Sequence, residues 1–574
     1  MDRTARVTDR PAQRSIAYDP GTEAQSPHLR AERVLADNWT GTSTVPSRGL
    51  YPHQWSWDSG FIAIGLRHVS PLRAQTELET LLAAQWGDGR IPHIVFNPSV
   101  PLDAYFPSPD FWRSSTAGRA AGAPRTVQTS GIVQPPVHAL AAWLVHCADP
   151  GLSRARGFLA GVYPRLAAWH RYLLHQRDLG GAGLASVVHP WEQGMDNSPC
   201  WDAPLARVTP APARSFRRAD LAHGAPEDRP TDLDYGRYVR LATDYRERGY
   251  RDGPGGGRGA GVSDFAVEDP AFNALLIASE HALARIAREL GATGTARHAR
   301  AERLTGVLIE RLWDAGAGMF FCRDVGGGRG ESGVLDGERR PASSAPGVQR
   351  GSASSAPDVE RRSASSAPDE ERRTASSART AEHRSPQSIA RASEHRPEST
   401  AHPAEHRPPS SAHATAPGGL RSTAHPTEHR SPAAPLIPER SVSGLVPLLL
   451  PTLPRDIAAA LVRTLDGPHF GARLVPSYDL LGEAFDPHRY WRGPAWFNTG
   501  WLVERGLRVH GACERADALR DAMIDTADAS GFAEYVDPHT GEACGATGFS
   551  WTAALTLDLL QAKGANGAKG GDRG

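Results

Sequence analysis

A tract of about 110 residues with nothing to pack divides this chain and decides how the rest is read. From about Gly326 to Pro435 the sequence becomes Ser, Ala, Pro, Arg, Glu and His, almost without aromatic or large aliphatic side chains. An 11-residue unit recurs inside it: PASSAPGVQRG from Pro341, SASSAPDVERR from Ser352, SASSAPDEERR from Ser363 and a decayed TASSARTAEHR from Thr374. The same period could mark a supercoiled helix, but the unit carries no apolar stripe, and Pro346 and Pro357 would each break one. Burial too small to offset ordering entropy predicts disorder over 326–435. His402, His406, His413 and His429 read as decoration of that insert rather than as a metal tract.

Both flanks are globular and helical. Apolar residues recur three and four apart over Ala271–Leu290, Ala296–Trp313, Asp456–Leu465, Thr499–His510 and Ala516–Ala527. The same spacing marks Gly60–Arg67, Leu72–Trp86, Val137–His146 and Tyr163–His175. Roughly ten to twelve helical segments, with little period-two alternation, predict one all-α domain over 32–325 and 436–563. Residues 1–31 read as a flexible N-terminal extension and 564–574 as a flexible tail.

The charges balance, 64 basic against 64 acidic, which argues against a nucleic-acid or anionic-membrane binder. Five cysteines lie far apart without CxxC or metal-ligand spacing, so free thiols in a reducing compartment are expected. The charged start MDRTARVTDRPAQRS has no apolar run behind it, and LVPLLLPTL at 445–453 is too short to cross a bilayer. The expectation is a cytoplasmic protein with no metal and no cofactor; nothing in the sequence fixes an oligomeric state.

The chemistry concentrates in four loop motifs that join Trp and Gly to carboxylates or amides: YPHQWSWDSG (51–60), HPWEQGMDNSPCWD (189–202), YWRGPAWFNTGW (490–501) and GFAEYVDPHTGEACGATGFSWTAA (531–554). A sugar presents apolar CH faces and a rim of hydroxyls, so its site needs flat aromatic platforms beside hydrogen-bonding groups. Any one motif could be structural, WDSG serving as a helix cap for instance. Four of similar composition in one helical domain favour a carbohydrate site.

These motifs, with RPTDLDYGRY at 229–238, resemble glycoside hydrolase family 63 in its bacterial branch of mannosylglycerate and glucosylglycerate hydrolases. The resemblance spans about Tyr51 to Leu560, excluding the insert. It implies an (α/α)6 barrel, a six-hairpin toroid, and hydrolysis of a small α-glycoside with inversion. It also implies Asp196 as general acid and Glu534 as general base. Tyr51, Trp55, Trp57 and Asp58 would line the glycone subsite, extended by Gln134, Trp191, Gly194, Tyr490, Trp491 and Trp496. Arg229 and Tyr235 would grip a glycerate carboxylate, a task suited to a planar guanidinium fork, although a surface salt bridge is an equal reading of Arg229. The roles suit the chemistry, since inversion needs one protonated and one ionised carboxyl on opposite faces of the sugar. Asp196 beside Trp191, Met195 and Pro199 is expected to be desolvated and its pKa raised. The chain departs from the family at Val536, at Cys544 and in the insert. Two other readings stay open: a trehalase-like or glycogen-debranching α-glucosidase with a wider cleft and no carboxylate grip, and a non-catalytic carbohydrate-binding protein.

Overall fold

The computed structural model describes residues 26–222, 226–252, 264–326 and 434–570. Among them stand twelve α-helices of eleven residues or more. In chain order they are α1 Pro27–Asp37, α2 Ser56–Leu66, α3 Pro71–Ala83, α4 His138–Ala148, α5 Phe158–Gln176, α6 Asp232–Glu247, α7 Pro270–Glu289, α8 Thr295–Leu312, α9 Arg455–Asp466, α10 Phe497–Val509, α11 Cys513–Ala529 and α12 Ser550–Gly570. Nine follow the predicted segments to within a few residues. The other three are α1, which begins five residues inside the expected N-terminal extension, α6 and α12. The rest of that extension falls in residues 1–25, and the predicted disorder of the insert falls on 327–433; both lie outside the described residues.

The helices are of two kinds. Every residue of α2 is buried, and 17 of the 20 in α7. By contrast α9 buries only Ile457, Ala458, Leu461 and Leu465, one stripe at helical spacing. The two most buried helices belong to one run of successive neighbours. α2 lies against α4, α4 against α7, and α7 against the short 3-10 turn Val446–Leu449. That turn lies against α10, α10 against α12, and α12 against α2. The remaining helices cover these: α3 on α2, α5 and α8 on α7, α11 on α10, and α1 on α12. One charged knot helps to join three of the inner helices. Asp558 of α12, 2% exposed, accepts from Trp501 Nε1 at 2.9 Å, His68 Nε2 at 2.9 Å, Arg67 and Arg505. These partners hold its carboxyl well below the usual range even though burial pushes the other way.

Strands are confined to two-residue pieces that fix loops. Tyr535–Val536 is the middle of three antiparallel strands, between Ala495–Trp496 and Ala543–Cys544. Gln54–Trp55 pairs with Ile94–Val95. At the insert, Asp324 N donates to Pro435 O at 3.3 Å and Ile437 N to Cys322 O at 2.8 Å. The chain therefore re-enters the domain beside the point where it leaves. No helix among the described residues is long and apolar enough to cross a membrane.

Candidate active site

Four chain segments with unlike local causes converge on one cavity of about 1020 Å³ of empty space, its open mouth included. The first is the start of α2. Trp55 is its N-cap residue, and Asp58 lies in its first turn, where backbone N–H groups and the helix dipole favour a negative charge. Gln134, from the loop before α4, accepts from Trp57 N at 3.1 Å and ties the two loops together. Asp58 is only 4% exposed, and burial drives its carboxyl well above the ordinary range.

The second is the acid loop. His189 caps a single helical turn, Pro190–Gln193, its ring nitrogen accepting from Trp191 N at 3.0 Å. Glu192 is fully buried and takes a bidentate pair from Arg177 at 2.6 Å each, with Val188 N at 2.8 Å and Val133 N at 3.3 Å. Such a carboxylate is an anchor, not an acid. Gln193 accepts from Met195 N at 2.9 Å and donates to Asp269 at 3.2 Å; Asp269 in turn caps α7. Gly194 turns the chain at φ 85°, and a Cβ there would lie 2.5 Å from the Trp57 ring. The result aims Asp196 at the cavity, with its main-chain carbonyl held by the Tyr238 hydroxyl. Half-buried Asp196 is pushed up to about 7, chiefly by desolvation, against the pull of Arg229.

The third segment carries Arg229 and Tyr235. Its turn-like sequence is a helix start: Thr231 Oγ1 accepts from Asp234 N at 3.2 Å and caps α6. Arg229, 6% exposed, places its guanidinium carbon 4.8 Å from the centre of the Tyr490 ring. Its Nη1 lies 3.5 Å from Tyr51 Oη. Tyr235 lines the cavity, while its hydroxyl donates to Phe106 O at 3.4 Å.

The fourth is the base wall. Glu534 sits just ahead of the central strand and is 1% exposed. Its Oε1 accepts from Tyr51 Oη at 3.0 Å and Tyr490 Oη at 3.3 Å, and its Oε2 from Ala546 N at 3.2 Å. Burial raises the Glu534 carboxyl; Arg229 and these three donors counter it.

Twelve of the fourteen residues singled out from the sequence line the cavity: Asp196, Glu534, Tyr51, Trp55, Trp57, Asp58, Gln134, Trp191, Gly194, Arg229, Tyr235 and Tyr490. Trp491 and Trp496 do not. They stack on each other at 3.8 Å, and Trp496 stacks on Tyr535 at 4.6 Å, behind the base. This aromatic column holds Trp491 in the left-handed region at φ 58° and stiffens the wall that carries Glu534. Tyr105, Phe106 and Asp220, which lie outside the four motifs, also line the cavity, as does Trp551 of the fourth motif, which was not singled out. PLDAYFPSPDFW at 101–112 has the same aromatic-and-proline texture as the four motifs and would have revealed the first two. Among the described residues, no three His, Cys, Asp or Glu side chains converge as a metal site requires.

Two carboxyls on one aromatic cavity, Asp196 pushed up to about 7 and Glu534 bonded by three donors, are the kind of pair that cleavage of a glycosidic bond requires. The comparisons with known proteins agree. A mannosylglycerate hydrolase of Rubrobacter radiotolerans is 34% identical over 550 residues, 94% of this chain and 98% of that protein. A glucosylglycerate hydrolase of Mycolicibacterium hassiacum is 32% identical over 557 residues, 95% and 100% of the two chains. Among solved structures, the family 63 mannosylglycerate hydrolase of Thermus thermophilus in complex with Tris superposes with a TM-score of 0.67. It has 31% identity and covers 93% of this chain and 100% of that one. The sequence model of the mannosylglycerate hydrolase MGH1-like glycoside hydrolase domain matches residues 51–391 and 421–552. The chain is a glycosidase and belongs to the mannosylglycerate hydrolase MGH1-like family of glycoside hydrolases.

Proposed function

We propose that this enzyme hydrolyses a small α-glycoside of glycerate, glucosyl- or mannosylglycerate, with inversion at the anomeric carbon. Asp196 protonates the leaving oxygen and Glu534 takes a proton from the attacking water. The observation that carries this reading is that Asp196 and Glu534 line one cavity in unlike settings: desolvation lifts both, Asp196 to about 7, while Glu534 is bonded by Tyr51, Tyr490 and Ala546. Arg229 supports the anionic aglycone, because its guanidinium lines the same cavity. So do the relatives, which are named for both substrates, and the Thermus protein, whose structure holds D-glycerate. Tyr51, Trp55, Trp57, Asp58, Gln134, Trp191 and Tyr490 would enclose the sugar, and Trp491 and Trp496 would act through the wall behind it.

The order of neighbours around α2, α4, α7, Val446–Leu449, α10 and α12 supports the (α/α)6 barrel, with the other helices outside. Residues 326–435 are read as an insert in that one domain, and the five unpaired cysteines favour a reducing, cytoplasmic setting. The test is product analysis of the purified enzyme with mannosylglycerate, glucosylglycerate, trehalose and maltooligosaccharides. Turnover is expected on the glycerate glycosides, with proton NMR detecting the β-sugar first. First release of the α-sugar would require a retaining pair, and preference for trehalose or maltooligosaccharides would overturn the aglycone.

A further inference from the structure

Assigning Glu534 as base leaves undecided what holds so buried a carboxyl ionised and in place. The hydrogen bonds around it are asymmetric. Oε1 faces two phenols, Tyr51 at 3.0 Å and Tyr490 at 3.3 Å, whose own oxygens are 3.3 Å apart. Oε2 has one protein donor, Ala546 N at 3.2 Å, and Glu534 N returns a bond to Ala546 O at 2.7 Å.

The direction of the phenol bonds is fixed at its head. Arg229 has only donors, so the contact between its Nη1 and Tyr51 Oη makes that oxygen an acceptor. The single hydroxyl proton of Tyr51 is then directed to Glu534. A chain that begins on a cation and ends on a carboxylate is polarised along its length. Space constrains the other oxygen. Gly545, at φ 69°, passes so close that a Cβ there would lie 2.6 Å from Oε2. The absence of a side chain lets the 545–546 backbone approach the carboxylate and donate to it from Ala546 N.

We infer that Tyr51, oriented by Arg229 and seconded by Tyr490, is a positioning residue that fixes Glu534 Oε1 and so sets the orientation and the ionised state in which the carboxylate meets water. The inference rests on Glu534 being the base. In the step it serves, the water oxygen bonds to the anomeric carbon as the glycosidic C–O bond breaks. Glu534 takes one water proton and the leaving oxygen takes the proton of Asp196, so charge and atoms balance.

The groups that bear on Glu534 are Tyr51 and Asp58 from the entry to α2, Asp196 from the acid loop, Arg229 ahead of α6, Tyr490, and its neighbour Tyr535. Of these, Asp58 and Asp196 resist its ionisation, while Arg229 and the two phenols favour it. A donor bonded to the ionised form keeps a carboxyl pKa low, so its removal raises that pKa. The acid limb of the kcat/KM profile marks ionisation of the base in the free enzyme.

The experiment is the pH dependence of kcat/KM for wild type, Tyr51→Phe, Tyr490→Phe and the double variant, with thermal melting to check the fold. The acid limb is expected to move up by about 0.5–1 pH unit in Tyr51→Phe, less in Tyr490→Phe and most in the double variant. The alkaline limb, governed by Asp196, is expected to stay near its wild-type position. If turnover falls while the acid limb stays fixed in both folded single variants, the phenols only support the structure or bind sugar, and the inference fails. Should Tyr51→Phe not fold, Tyr490→Phe decides alone, because it donates to the same oxygen. Glu534→Gln separates the two levels: full activity there would remove the base assignment itself, whereas an inactive Glu534→Gln with unmoved limbs removes only the clamp.

Discussion

The two carboxyls Asp196 and Glu534, which line the same cavity, are built in contrasting ways. Asp196 is held through its backbone: Tyr238 grips its carbonyl, and Trp201 Nε1 donates to Met195 O at 2.6 Å. Gln193 and Glu192 tie the loop to Asp269 and Arg177. Its position is fixed while desolvation is left to act, and its proton is held up to about 7. Glu534 is held through the carboxylate itself, by Tyr51, Tyr490 and Ala546, with Arg229 beyond. In the proposed division of labour the same chemical group serves as acid where its loop is tied and desolvation outweighs its own backbone donor, and as base where Arg229 and three donors meet it. Glu192, four residues from Asp196, marks the limit of the second treatment. An arginine pair with no cavity beside it makes a structural ion pair.

The largest test of that contrast is to neutralise each member. Asp196→Asn cannot deliver a proton and Glu534→Gln cannot accept one, so each is expected to lower kcat by about 10²–10⁴-fold or more with melting unchanged. With an aryl glycoside whose leaving group needs no proton, Asp196→Asn is expected to recover much of its rate and Glu534→Gln none. Equal recovery in both would mean that the walls do not divide the labour as argued.

A smaller effect separates the aglycone from the base. Arg229 touches the base wall through Tyr51 whatever the substrate, but pairs with an anionic aglycone only when one is present. Arg229→Ala is therefore expected to lose roughly 30-fold more kcat/KM on a glycerate glycoside than on an uncharged aryl α-glycoside, about 2 kcal/mol of differential binding. Parallel rates on the two substrates would show an equal loss and remove the carboxylate grip while leaving the acid and base in place.

Much of the acid wall and the base wall was legible in the sequence, and the reason is local. Trp, Gly and carboxylate fall within a few residues of one another in WEQGMDNS and WSWDSG, and tight loops keep them together. What misled was equally physical. Thr231, Asp232 and Asp234 look like turn residues because the same side-chain-to-backbone bonds that make turns also cap helices. The segment holding Tyr235 is therefore the opening of α6. α12 escaped because a helix buried on nearly every side has no polar face to reveal its period. Trp491 and Trp496 carry the same residue type as the platforms, so composition could not separate a ring that meets the cavity from one stacked behind it. Tyr51 reads as a sugar platform, and its bond to Glu534 spans 483 positions of sequence, beyond any motif.

The smallest expected effect concerns the tract that belongs to neither wall. Its exit and return are pinned together at Cys322–Asp324 and Pro435–Ile437, so a short linker can bridge them without moving a helix. Replacing 327–433 by about six Gly/Ser residues shortens the loop roughly 18-fold, or about four doublings. At about 0.6 kcal/mol per doubling the closure entropy favours the shortened fold by about 2 kcal/mol. For a domain this large that corresponds to a rise in Tm of only a few degrees. Every cavity-lining residue named above lies outside 327–433, so kcat, KM and both pH limbs are expected to match the parent. A loss of activity with melting unchanged would mean that residues of the tract reach the cavity in the working enzyme, and the division between Asp196 and Glu534 would then have a third contributor.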